Sequence, residues 1–399
     1  MSDTFSELET RSAEVRAADH LAQLNALLAR VKRDVGDAFP VGEVAALEDL
    51  ANLPVLRKST LHEWQKARPP FGGVTMGDFT HVFQSPGPIY EPGGSGHDWW
   101  RFGAFLHACG IGPEDIVQNC FGYHLTPAGS MFENGARAVG AKVLPAGTGQ
   151  TELQVRAAAH LGTTAYAGTP DYLKVILEKA DEMGVTLGIT KAAVSGGALF
   201  PSLRDWYAGR GISCLQCYAT ADLGQIAFEC MVGEGMIVDE GVIVEIVTPG
   251  TGDPVPIGEV GEVVVTALNP DYPLIRFATG DLSAVMEGQS PCGRTNMRIK
   301  GWMGRADQTT KIKGMFVRPE QVAALVARLD GVSRIRVIVD RKGETDIMEV
   351  QAEGDAGDPE QIGKTAQDVL KLRAEVTCHP LGSLPRDGIV IEDRRDYDR

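Results

Sequence analysis

The segment TTAYAGTPDYLKVILEKADEMGVTLGITKAAVSGG, residues 163–197, changes its period twice. Two short apolar runs, TTAYAGT and KAAVSGG, flank DYLKVILEKADEMG, in which Leu173, Ile176, Leu177 and Ala180 share one helical face. Apolar strand, amphipathic helix and apolar strand in that order predict two parallel strands joined by a crossover helix. The same alternation extends on both sides through VQNCFGY, AKVLPAG and ISCLQCYA. Each predicted strand ends in small or hydroxyl residues: PAGTGQT, AGTP, SGGA and YATAD. Ligands of open parallel sheets collect at the carboxyl ends of strands, where loops converge and helix N-termini offer amide donors, so these clusters are expected to face one cleft.

Beyond residue 235 the pattern turns to short strands, MIVDEGVIVEIV, GEVGEVVVTAL and PLIRFAT, separated by the turn sequences PGTGDP and NPDYP, and predicts an antiparallel region. After Arg305 a compact α+β pattern follows, with QTTKIKG and RIRVIVD as strands and a helix PEQVAALVARL opened by Pro319. Upstream, Leu21, Leu24, Leu27, Leu28 and Val31 recur at helical spacing and predict a helix within residues 10–34. The expected fold is α/β. A large N-terminal domain, residues 1–306, combines parallel α/β sheets with an antiparallel β subdomain, and a small, mobile α+β domain spans residues 307–399.

The chain is long enough for more than one core, and 43% hydrophobic against 23% charged residues is a globular balance. A net charge of −15 repels a phosphate backbone, and no basic stripe offsets it, so nucleic acid is not an expected partner. No apolar run reaches the roughly 20 residues that cross a bilayer, and the N-terminus is polar and acidic, so a cytoplasmic location is expected. Seven scattered cysteines fit reduced thiols. Cys214 and Cys217 have CxxC spacing but lie in an apolar run without a second metal-spaced pair, which reads as core.

Four motifs in fixed order carry a family resemblance. They are SGGALFP (Ser195–Pro201), YATAD (Tyr218–Asp222), RFATGD ending at Asp281, and GRADQTTKIKG (Gly304–Gly314). Singly, each is a turn. Together they resemble the ANL superfamily of adenylate-forming enzymes, and FGYHLTPAG, GAKVLPAGTGQTELQV and PCGRT resemble its phenylacetate-CoA ligase-like members in particular. The likeness runs from about residue 40 to the C-terminus.

The resemblance implies ATP and AMP, Mg²⁺ and coenzyme A as ligands, and roles for named residues. Asp281 would bind the ribose hydroxyls, since a carboxylate accepts two such bonds well. Tyr218 would face adenine, with Ala219 and Thr220 near the α-phosphate and Asp222 toward Mg²⁺. Gly196, Gly197 and Ala198 would line the nucleotide. Arg305 would contact ribose or phosphate, Asp307 would be the hinge, and Lys313 and Gly314 would swing toward the cleft for the CoA step. Tyr123 and His124 fall where the acyl pocket begins, which suggests an aromatic or other compact acid.

Two departures qualify it. The stretch aligned with the phosphate loop is QSPGPIYEPGG, Gln84–Gly94, in which only Ser85 and Gly87 fit; Pro86 and Pro88 remove amide donors and Glu91 is expected to add negative charge. In the tail GSLPRDGIVIEDRR, Ile389 stands after Gly388 where the family carries a catalytic lysine. Loss of one such charge-stabilising element typically costs a factor of ~100 to 1000, and the guanidinium of the nearby Arg386 is no equivalent. The resemblance implies a metal in some relatives near the segments ECMVGEGM and SPCGRT, but here Cys230 and Cys292 stand alone, so no structural zinc is expected.

The expected function is therefore an ATP-dependent, AMP-forming acyl-CoA ligase acting on a carboxylic acid through an acyl-adenylate. The alternatives are a catalytically impaired or non-catalytic adenylate- or acid-binding relative, and adenylyl transfer to an acceptor other than CoA. The oligomeric state is open, with a homodimer among the alternatives.

Overall fold

The computed structural model describes residues 4–34, 42–75, 77, 79–85, 89–303, 306, 310–313, 315–317, 319–343, 345–354, 358–385 and 389–395. The chain divides into two compact units, Met1–Met303 and Gly304–Arg399.

The first unit opens with α1 (Ala13–Asp34) and α2 (Lys58–Ala67), then a hairpin of β1 (His81–Ser85) and β2 (Ile89–Gly93). An alternating series follows: α3 (Gly103–Ala108), β3 (Ile116–Asn119), α4 (Ala128–Ala138), β4 (Lys142–Pro145), α5 (Thr151–Leu161), β5 (Ala165–Gly168), α6 (Pro170–Glu182), β6 (Lys191–Val194), α7 (Pro201–Ala208) and β7 (Ser213–Thr220). The remaining strands are β8 (Gly224–Phe228), β9 (Met236–Val238), β10 (Val242–Val247), β11 (Val260–Ala267), β12 (Phe277–Met286) and β13 (Arg298–Ile299). One sheet of 11 strands runs β10-β11-β12-β13-β9-β8-β7-β6-β5-β3-β4.

Strands β3 to β7 pair in parallel, as the alternating pattern predicts. Both of their faces are covered, which explains the near-continuous apolar runs. Ala165, Ala167, Ala193 and Leu215 pack on Phe102, Phe105 and Phe132 of one layer. Tyr166, Ala192, Val194 and Cys214 pack with Leu173, Leu177, Leu203 and Tyr207 of the other. In α6, Thr169 is the N-cap, Pro170 opens the helix, and Leu173, Ile176, Leu177 and Ala180 are all buried.

After β7 the chain turns through three residues, too few for a crossover, so β8 returns antiparallel. Gly224 at the end of this turn has φ +74°, and a Cβ there would meet the Trp100 carbonyl oxygen at 2.9 Å. The antiparallel strands continue the same sheet instead of forming a separate one. In α1, Leu24, Leu27, Leu28 and Val31 are buried with Leu50 and Ile275; Arg16 of this helix and Arg11 just before it pair with Glu240.

The second unit contains the hairpin β14 (Thr310–Ile312) and β15 (Met315–Val317), α8 (Pro319–Val326), β16 (Val332–Lys342), β17 (Thr345–Gly354), α9 (Pro359–Leu370), β18 (Glu375–His379) and β19 (Ile391–Asp393). Its 4-stranded sheet, β18-β17-β16-β19, buries Val337, Val339 and Val350 against Val322, Leu325, Ile362 and Leu370. Among the described residues, no helix is long and apolar enough to cross a membrane.

Candidate active site

Tyr218, near the end of β7, donates from its hydroxyl to Asp281 Oδ2 at 2.8 Å. Trp302 Nε1 donates to Asp281 Oδ1 at 2.9 Å. In sheet order β7 and β12 are separated by β8, β9 and β13, about 19 Å across a flat sheet at ~4.8 Å per step. A direct side-chain contact therefore requires the antiparallel half to curl back over the parallel half. The carboxylate is 7% exposed and fixed from both sides.

Asp222 lies in the turn after β7, with Lys58 Nζ donating to its Oδ2 at 3.1 Å. Lys58 is the first residue of α2. A cation at a helix N-terminus is disfavoured by the helix dipole, so Asp222 supplies the compensating charge. Asp222 Oδ1 is buried and has no hydrogen-bond partner among the described residues. An orphaned carboxylate oxygen fits a hard cation, and Mg²⁺ commonly takes one or two carboxylates together with substrate phosphates.

The hairpin aligned with the phosphate loop is held from within. Ser85 N donates to Glu91 Oε2 at 3.1 Å, and the Ser85 hydroxyl donates to Glu91 Oε1. Burial, reinforced by the charge of Asp222, pushes Glu91 up to about 8, while Ser85 and Lys58 pull the other way. Desolvation thus works against the negative charge that Glu91 is expected to bring to the phosphates. From α2, Gln65 Nε2 donates to Tyr90 O at 2.7 Å and Gln65 Oε1 accepts from Tyr90 N at 2.8 Å. Gln84 N donates to Leu125 O at 2.9 Å, which seats the loop after β3 on β1.

That loop carries Tyr123 and His124. Asn119 Nδ2 donates to the Tyr123 hydroxyl and to Gly129 O, both at 2.8 Å. Burial and neighbouring Glu133 push the Tyr123 phenol above its usual range, so it stays protonated. His124 is exposed. After β6, the Ser195 hydroxyl donates to Cys217 O at 3.0 Å and ties the SGGA loop to β7. Gly196 (φ +71°) and Gly197 are exposed, and Ala198 is half-buried. Ala219 and Thr220 are half-buried, and Thr220 Oγ1 accepts from Leu223 N at 3.1 Å.

Other expected site residues fall elsewhere. Gly87, Arg305, Asp307 and Gly314 lie outside the described residues. Lys313 is in the second unit, in the β14–β15 turn with φ +47°, and its backbone N donates to Asp346 Oδ2 at 3.2 Å. Ile389, also in the second unit, is 37% exposed, and its carbonyl accepts from Arg336 Nη1 at 3.5 Å. Cys214 and Cys217 are buried on opposite faces of β7, and burial pushes both up to about 12. Among the described residues, no three His, Cys, Asp or Glu side chains converge on a metal position. Lys58 and Trp302 belong to the site without having been singled out from the sequence.

No family model matches the chain. It is 29% identical over 357 residues to the phenylacetate-coenzyme A ligase of Thermus thermophilus, covering 85% of this chain and 79% of that protein. It is 28% identical over 352 residues to the Escherichia coli enzyme of the same name, covering 82% and 78%. Over most of its length the chain is therefore similar to phenylacetate-CoA ligases, at 27–29% identity. Among solved structures, 2-hydroxyisobutyryl-CoA ligase in complex with 2-HIB-AMP and CoA has the same fold, with a TM-score of 0.84 at 24% identity, covering 100% of this chain and 94% of that one. An o-succinylbenzoate CoA synthetase from Bacillus subtilis gives a TM-score of 0.59 at 13% identity, covering 79% and 68%. The first unit of this chain holds the YATAD tyrosine and the TGD aspartate in direct contact.

Proposed function

We propose that the protein is an ATP-dependent acyl-CoA ligase for a compact, most simply aromatic, carboxylic acid. The observation that carries this reading is Asp281, clamped by Tyr218 and Trp302. This rigid carboxylate is suited to the two ribose hydroxyls of an adenylate. A substrate carboxylate oxygen attacks the α-phosphorus of ATP, the bond to pyrophosphate breaks, and the CoA thiol then attacks the acyl carbon with AMP leaving. Thr220 and the amides of the SGGA loop face the α-phosphate. Asp222 would hold Mg²⁺, which supplies positive charge beside the phosphates, with Lys58 as a second cation. Arg305 orients the ribose or phosphate, and Asp307 serves as the pivot between residues 1–306 and 307–399, with Lys313 and Gly314 serving the thioester step. The Tyr123 ring walls the acyl site beside His124.

A second reading, a relative with weak or absent adenylation, is favoured by one observation: an exposed aliphatic side chain, Ile389, stands where the family carries lysine. Pyrophosphate release and acyl-CoA formation with a panel of aryl and short-chain acids separate the two. Turnover by the native chain supports the ligase. A rise of ~100-fold or more only in Ile389→Lys supports an impaired ligase, and no turnover in either supports a binding protein.

A further inference from the structure

The loop after β3 is held on three sides. At its start, Asn119 is 1% exposed; its Nδ2 donates to the Tyr123 hydroxyl and to Gly129 O, and its Oδ1 accepts from Phe121 N at 3.2 Å. At its end, Gly129 N donates to Gly122 O at 3.0 Å. A Cβ at Gly129 would meet the Tyr123 ring at 2.9 Å, so the ring lies directly against the first turn of α4. Between these ties the chain reverses in a γ-turn: Thr126 N donates to His124 O at 2.8 Å, with Leu125 at the centre at φ +64°. From the side, the Leu125 carbonyl accepts from Gln84 N of β1 at 2.9 Å.

A γ-turn of this hand is strained for any residue with a Cβ, and glycine adopts it without that cost. Seven non-glycine residues among those described have positive φ, and Leu125 is the one with an apolar side chain. Leu125 is 59% exposed, so burial within this structure does little to offset the strain. Glycine would make the turn better, and what glycine lacks is the side chain. Strain in a loop so firmly determined by its surroundings is concentrated at binding sites, where the strained residue is put to use.

We propose that Leu125 is a specificity-determining residue of the acyl site, an apolar cover two residues beyond Tyr123 that contacts the hydrocarbon part of the acid and limits its bulk. This rests on the reading of Tyr123 as a wall of that site. An isobutyl group offers dispersion contact and no hydrogen bond, so the acid it suits carries hydrocarbon, not charge or hydroxyl, at the contacted end. The ties from Asn119 to Tyr123 and from Gln84 to Leu125 keep the loop from retreating before a bulkier acid.

The test compares the full native chain with Leu125→Gly, which keeps the turn and removes the side chain, and Leu125→Ala, which removes most of the side chain and keeps the strain. Phenylacetate and 4-tert-butylphenylacetate are the probes, read by calorimetry and as KM in pyrophosphate release, with the KM for ATP alongside. The native chain should prefer phenylacetate. Both variants should bind it ~10-fold more weakly, as loss of an apolar contact of this size implies, and should narrow the preference several-fold with the KM for ATP unchanged. In urea, the unfolding midpoint of Leu125→Gly should match or exceed that of the native chain and lie above that of Leu125→Ala. Unchanged acid affinity and preference in both variants would overturn the proposal while leaving the ligase reading standing. So would a midpoint for Leu125→Gly well below native with the KM values for acid and ATP raised together, which would mark the turn as structural only. A native chain that neither binds nor turns over any acid would overturn both.

Discussion

At the scale of single residues, Asp281 and Lys58 show two ways a site can be written into a chain. Asp281 is readable because its neighbours form a motif, and the structure adds what the motif leaves out, the indole of Trp302 on the opposite oxygen. Lys58 is not readable: it opens an ordinary amphipathic helix, and its partner Asp222 is 164 positions away. Only folding brings the ammonium to the buried carboxylate, against the preference of the helix end. Removing it leaves Asp222 buried without a cation. Breaking a fully buried pair costs ~3–5 kcal/mol, but the Lys58 side chain is 42% exposed, so Lys58→Ala should lower unfolding stability by ~1–2 kcal/mol. Urea denaturation checks this, and adding Asp222→Asn should restore most of the loss, as a coupled pair requires.

At the scale of elements, the helices and the parallel strands were legible because a sheet buried on both faces leaves an unmistakable apolar run. The curl of the antiparallel half was not, because it depends on accumulated twist and on contacts between strands far apart in order. The upward push on Glu91 was equally hidden, since it follows from burial and the nearby charge of Asp222, against the hydrogen bonds of Ser85, and not from residue type. Asp98 makes a similar point at the entry to α3. Both of its carboxyl oxygens accept from Gly103 N at 3.0 Å, while burial, with Asp239 nearby, pushes the group from 3.8 up to about 7. Between those values the folded chain holds a proton that the unfolded chain has released. Stability from this group is therefore full below about pH 4, falls as pH rises toward 7, and levels off above it. Asp98→Asn should flatten that decline in urea unfolding measured from pH 4 to 8, with the largest gain over the native chain at the alkaline end.

At the scale of the whole molecule, Tyr218, Asp281, Trp302, Asp222 and Lys58 all fall in the unit Met1–Met303, whereas Lys313 and Ile389 fall in the unit Gly304–Arg399. In the sequence, the change from alternating strands and helices to a compact α+β pattern predicts a boundary near Asp307, because each half follows its own period. If the first unit alone carries the adenosine contacts, a fragment ending at Met303 should fold and bind AMP within about tenfold of the full chain, yet form no acyl-CoA; calorimetry and a thioester assay check both parts. The claim on which the account rests is that the clamped carboxylate of Asp281 holds the ribose. It is tested most directly by titrating AMP into the native chain and Asp281→Ala in a calorimeter. A charged hydrogen bond is worth ~1.5–3 kcal/mol, so the account predicts binding by the native chain and a loss of ~10- to 100-fold in a variant that stays folded. Equal affinities, or no binding by the native chain, would contradict it.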